Sequence, residues 1–180
     1  IHDTIKMLDR IIGKDIDLKL ELAEELPTMQ GDFDQLKQVI MNLIVNAQDA
    51  MPNGGRIVIA TKYRNIQEGA PDVPPYILPG GYVQMSIADT GNGITEDLQQ
   101  KIFEPFFTTK ERGKGTGLGL SMVYGTIKEH HGNITVHSKL GAGSTFTIYL
   151  PVSKEALATS PAEIDIPING NETILFVDDE

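Results

Sequence analysis

Between Asp34 and Met51 the chain has the period of one regular structure only. Leu36, Val39, Ile40, Leu43, Ala47 and Ala50 fall on one stripe at roughly 100° per residue, the spacing of an α-helix. Gln38, Asn42, Asn46 and Asp49 form a second, polar stripe beside it, with Met41 and Val45 further round. Polar groups on so apolar a helix usually have a dedicated partner. The apolar stripe needs a cover, and the rest of the chain supplies strands. Ile16, Leu18, Leu20 and Leu22 alternate with Asp15, Asp17, Lys19 and Glu21, which describes a strand with one wet side.

Further strands are predicted at Arg56 to Tyr63, Tyr82 to Ala88, Asn133 to Ser138 and Ser144 to Leu150. The last two are joined by a hairpin through Leu140, Gly141, Ala142 and Gly143. Helices are predicted over residues 2–13, from Glu96 to Ile102 with Thr95 as N-cap, and from Gly117 to His130, closed by Gly132. Residues 64–81 hold four prolines and three glycines and read as an irregular surface loop. Strands and helices interspersed in this way place the chain in the α/β (α+β) class.

At 180 residues the chain is long enough for one substantial domain. It has no cysteine, which excludes disulfides and thiolate metal sites. Its net charge of −10 argues against nucleic acid as a partner. No run approaches the roughly 20 apolar residues of a membrane span. Any polyphosphate bound by so acidic a chain needs local neutralisation, from a metal ion, backbone amides and a few lysines.

Two glycine clusters flank a loop of aromatic and cationic residues. Asp89-Thr90-Gly91-Asn92-Gly93-Ile94 ends a predicted strand, and Gly113-Lys114-Gly115-Thr116-Gly117-Leu118-Gly119-Leu120 opens a predicted helix. Glycine permits positive φ and close backbone approach, and bare amides at a helix start suit phosphate oxygens. A nucleotide site is the expectation. The glycine spacing matches neither a Walker loop nor a dinucleotide fingerprint, and protein-kinase HRD and DFG landmarks are absent.

The ordered set of motifs resembles the ATP-binding catalytic domain of sensor histidine kinases, within the GHKL ATPase superfamily, and implies its Bergerat-type fold, an α/β (α+β) two-layer sandwich of a mixed β-sheet with helices packed on one face. Gln38, Asn42, Asn46, Ala47, Asp49 and Ala50 resemble the family's asparagine box, and Asp89 to Gly93 its first glycine box. Phe103-Glu104-Pro105-Phe106 resembles the phenylalanine box. Gly115 to Leu120 resembles the second glycine box, and Gly141 to Phe146 the closing glycine-threonine segment.

The resemblance implies ATP and Mg²⁺ as cofactors and phosphoryl transfer to a histidine. Asp89 would accept the adenine amino group, with Gly91 and Gly93 letting the backbone pass close to the base and Ile94 beside them. Asn46 would give its amide oxygen to Mg²⁺, and Asn42 would hold polar groups or water near the phosphates. In the hydrolytic branches a glutamate stands where Asn42 does. Residues 104–116 would form the ATP lid, with Lys110 and Lys114 on the phosphates. The amides of Gly117, Leu118, Gly119 and Leu120 would add to them, Asp49 would order the polar stripe, and Thr145 would support the base pocket. Phe103, Phe106 and Phe107 are expected to pack or to dock a partner helix.

None of His2, His130, His131 and His137 makes a convincing acceptor, so the acceptor is expected from a separate dimerisation domain. Residues 1–13 would be the remnant of its connecting helix, 14–151 the catalytic domain and 152–171 a linker. Residues 172–180, with Asp178 and Asp179, resemble the first strand of a response-regulator receiver, the second expected partner. The fragment is expected to be cytoplasmic without membrane contact of its own, whether or not its parent is anchored. A GHKL-type ATPase and a non-catalytic nucleotide-sensing module are the alternatives.

Overall fold

The structure, a computed structural model, describes residues 12–110 and 115–153. The expectations for 1–11, for Lys114, and for the linker and acidic tail lie outside the described residues. Five strands form one mixed sheet. They are β1 (Ile16–Glu21), β2 (Gly55–Ile66), β3 (Gly80–Asp89), β4 (Asn133–Ser138) and β5 (Ser144–Pro151), in the order β1-β2-β3-β5-β4. β1 runs parallel to β2, and every other pairing is antiparallel.

Register sorts the side chains into two faces. The pairs Ile59↔Ile87, Ile87↔Phe146, Met85↔Ile148 and Val136↔Phe146 share one face. Two helices cover it, α1 (Phe33–Asp49) and α3 (Gly119–Glu129), and the short helix α2 (Glu96–Gln99) lies between them in sequence. The core is their joint interior, with Val39, Leu43, Ile44, Ile57, Ile87, Val123, Ile127 and Ile148 almost wholly buried. The polar stripe of α1 stays outside this seal.

Helix ends on all three helices differ from the sequence expectation. α1 starts at Asp32, whose carboxylate accepts the N–H groups of Asp34 and Gln35. α2 is shorter than expected, and Thr95 makes no side-chain cap bond. α3 is closed by His131 rather than by Gly132. His131 takes the left-handed φ of 56°, and the Gly132 and His131 N–H groups bond to the carbonyls of Ile127 and Lys128, a Schellman closure. Gly132 is needed for space, because a Cβ there would lie 2.7 Å from the Tyr149 carbonyl oxygen.

His130 locks the two long helices together. Its Nδ1 lies 2.8 Å from the Thr126 carbonyl, and its Nε2 accepts the Asp32 N–H at 2.9 Å. Nε2 thus serves as the acceptor that ties the N-cap of α1 to the end of α3.

The predicted loop 64–81 is shorter and less irregular than its prolines suggest. β2 continues through Ile66 and β3 begins at Gly80. The turn between them folds back over the helix-free face, where Val73 and Ile77 bury Ile66, Tyr82 and Tyr149 in a second, small core. Tyr82 and Tyr149 meet edge to face with centroids 6.4 Å apart. Arg64 pairs with Asp72 across the turn and holds that exposed carboxyl below the usual carboxylate range.

Candidate functional site

β3 delivers Asp89 to the end of the sheet nearest the C-terminus of α1, opposite Ile57 of β2. Asp89 is 8% exposed. Its Oδ1 accepts two backbone N–H groups, from Gly91 at 2.8 Å and Ser144 at 3.2 Å. No fully buried side-chain oxygen or nitrogen among the described residues lacks a partner, so Oδ2, which has none, reaches solvent. Burial pushes the Asp89 carboxyl above its ordinary range, against the two N–H donors that pull it down. A buried carboxylate with one oxygen satisfied and the other open is an acceptor held ready for a donor.

The glycines around Asp89 are also required by close packing within the chain. A Cβ on Gly91 would sit 2.6 Å from the Ala50 carbonyl oxygen, and on Gly93 2.1 Å from that of Lys139. On Gly143 it would meet the carbonyl oxygen of Asp89 itself at 2.0 Å. Gly93 and Gly143 also have φ of 69° and 87°. These glycines pack backbone on backbone, and they close the corner where the α1 end, the 90–95 loop and the β4–β5 hairpin meet.

Ser144 is the residue that sequence reasoning missed. Thr145 pairs with Ala88 and His137 on the helix-free face, whereas Ser144 shares the face of Phe146 and Ile148 and contacts Asp89. Counting alternation back from Phe146 finds it only once Phe146 is known to face the helices. Ile94 is held in place, its N–H donated to Ser138 at 2.7 Å.

Asn42 and Asn46 lie one turn apart on the polar stripe of α1, and Gln38 Nε2 reaches Asn42 Oδ1 at 3.4 Å. The Asn46 amide faces the start of α3, 4.0 Å from where a Gly119 Cβ would stand. No side chain caps that helix start, so its N–H groups and macrodipole point at the same space. Leu118 and Leu120 lie at this start, and the Leu118 N–H is engaged by Thr116 Oγ1 at 3.3 Å.

The lid has a defined neck. Phe106 N–H donates to the Gly117 carbonyl at 2.9 Å, and both residues take left-handed φ, 66° and 67°. A Cβ on Gly117 would strike the Phe106 backbone at 2.4 Å. Positive φ at a bulky aromatic is strained, and Phe106 is 75% exposed. Phe103 and Phe107 instead pack on the core, Phe103 against Tyr124 with centroids 5.5 Å apart. Inside the neck, Gly115 lies against Thr108 and Lys110. Lys110 makes an ion pair with Asp49 of α1. The structure therefore brings these two expected site residues onto each other.

The site thus joins an open carboxylate oxygen, an amide pair on a helix, an uncapped helix start and a necked loop. The sequence profile of the family described as histidine kinase-, DNA gyrase B- and HSP90-like ATPase matches residues 31–154. The chain belongs to this family. Sensor kinase CckA of Brucella abortus (strain 2308) is 43% identical over 193 residues, covering 100% of this chain and 20% of that protein. Sporulation kinase E of Bacillus subtilis (strain 168) is 38% identical, covering 87% and 19%. The chain thus spans about one fifth of the length of these curated relatives.

Among solved structures, a nucleotide-free catalytic domain of histidine kinase ThkA superposes with TM-score 0.64 at 33% identity, covering 83% of this chain and 90% of that one. Full-length ShkA in complex with AMPPNP superposes with TM-score 0.67 at 26% identity, covering 86% and 30%. The family member described here has the ATP-binding catalytic fold of the sensor histidine kinases. No helix among its described residues is long and apolar enough to cross a membrane.

Proposed function

We propose that this domain binds Mg·ATP between α1 and the lid and passes the γ-phosphoryl group to a histidine on a separate dimerisation domain. The observation that carries the reading is Asp89, with Oδ1 held by two N–H groups and Oδ2 open, near the end of the helix whose Asn46 faces the uncapped start of α3. An acceptor-only carboxylate suits the amino edge of adenine. The amides at Gly119 and Leu120 suit phosphate oxygens, and the Asn46 oxygen fits a hard cation that keeps several waters. Magnesium would supply charge neutralisation between phosphates.

The chain's own residues do the positioning, which is most of the catalysis in phosphoryl transfer. Asp89 orients the base. Asn42 holds polar groups near the phosphates without the basicity that would activate water. Lys110 leaves Asp49 for the phosphates, with Lys114 and Thr116 joining it from the lid. Exposed Phe106 and Met122, on the lid neck and α3, offer an apolar contact to the dimerisation helix. The acidic tail of residues 172–180 is read as the start of a receiver domain, and a response-regulator receiver as the next phosphoryl acceptor.

Radiolabelled Mg·ATP, mixed with the chain and the dimerisation domain of its parent protein, should transfer label to that domain's histidine. Steady hydrolysis by the chain alone at about 1 s⁻¹ or faster would favour the ATPase reading instead. Tight nucleotide binding with no transfer would favour a sensing module.

A further inference from the structure

One side chain outside the family motifs ties the corner together. Ser138, the last residue of β4, accepts the Ile94 N–H at 2.7 Å and donates to the Gly143 carbonyl at 2.8 Å. Its oxygen also lies 3.0 Å from Ser144 Oγ. A serine hydroxyl has one proton. The Gly143 carbonyl can only accept, so the Ser138 proton is committed there and the bond between the serines takes its proton from Ser144. Gln99 Nε2 braces the same point, donating to the carbonyls of Ile94 and Ser138, both at 2.9 Å.

The direction of this chain of bonds has a consequence for the pocket. Ser144 already gives its backbone N–H to Asp89. With its hydroxyl proton turned to Ser138, it has only lone pairs left to offer. Asp89 Oδ2 and Ser144 Oγ are then two acceptors and no donor. A 6-aminopurine brings two N–H protons to such a wall, whereas a 6-oxopurine sets a carbonyl oxygen against it.

We propose that Ser138 is a positioning residue for base selection: by fixing the Ser144 hydroxyl it makes the wall beside Asp89 purely accepting, and so selects an adenine over a hypoxanthine nucleotide. The proposal rests on the nucleotide reading above. It concerns the relay through Ser144, and not the contact that Asp89 makes.

Titration calorimetry with Mg·ATP and Mg·ITP, whose bases differ only at the 6-position group and its N1 proton, tests it. The ratio of the two dissociation constants should narrow about fivefold in Ser138→Ala, the scale of one hydrogen bond, and should return in Ser138→Thr. In a Ser144→Ala background, Ser138→Ala should change the ratio no further, because the relay has lost its end. An unchanged ratio in Ser138→Ala overturns the proposal. So does an equal narrowing in the Ser144→Ala background, which would mean a loosened loop. Should Ser138→Ala fail to fold, Ser144→Ala alone decides, since its ratio must narrow about as much. Asp89→Asn separates the two levels. If the wild-type chain binds no ATP, or Asp89→Asn binds it as well as wild type, the nucleotide reading fails and this proposal with it.

Discussion

Replacing Asp89 by asparagine should weaken nucleotide binding and strengthen the empty fold at once. The asparagine keeps an oxygen for the Gly91 and Ser144 N–H groups that now sit on Oδ1. It puts an NH₂ where Oδ2 was, so a donor faces the adenine donor. Hydrogen bonds to charged groups are worth about 1.5–3 kcal/mol, so affinity for Mg·ATP should fall about 10-fold to 150-fold. The stability effect has the opposite sign. Burial raises the Asp89 pKa in the folded state, so the folded protein holds the proton to higher pH than the unfolded chain. Stability from this group is complete below the unfolded carboxylate pKa and is lost as pH rises through the folded value. The asparagine does not ionise. Its melting temperature should match or trail wild type in acid and gain on it as pH rises to 7. Calorimetry with Mg·ATP and thermal melts from pH 4 to pH 8 check both halves. Unchanged affinity, or a variant whose melting temperature does not gain on wild type as pH rises, would refute the reasoning.

Gly93→Ala sets a Cβ 2.1 Å from the Lys139 carbonyl oxygen at a φ of 69°, and should cost about 3 kcal/mol or more in urea melts. His131→Gly relieves a non-glycine residue at a left-handed helix end and should stabilise by about 1 kcal/mol, or about 2–4 °C in melting temperature. Asp32→Ala removes the side-chain acceptor for two N–H groups of α1 and should cost about 1 kcal/mol by the same melts.

Much of the fold was legible because its signals are local. The α1 stripe and the extents of β1 and β5 survive into the structure within a residue or two at each end. Other features are set by partners distant in sequence. The second core depends on Val73 and Ile77, which stand among prolines with no period of their own and gain meaning only when Tyr149 arrives beneath them. The His130 lock joins residues 98 positions apart, and the Lys110–Asp49 pair residues 61 apart. In the site, Asp89 could be read because it ends a strand. Ser144 could not be separated from Thr145 until the face of β5 was known.

The backbone-to-backbone corner around Gly91, Gly93 and Gly143 bears on how variants that lose binding should be interpreted. A screen that scored only nucleotide binding would count these three positions as ligand contacts, although a Cβ at each meets a backbone carbonyl oxygen at 2.6 Å or less. The lesion lies earlier: cells carrying such alleles would accumulate little intact polypeptide, and immunoblots of soluble extract would separate them from alleles that spare folding and empty the pocket alone.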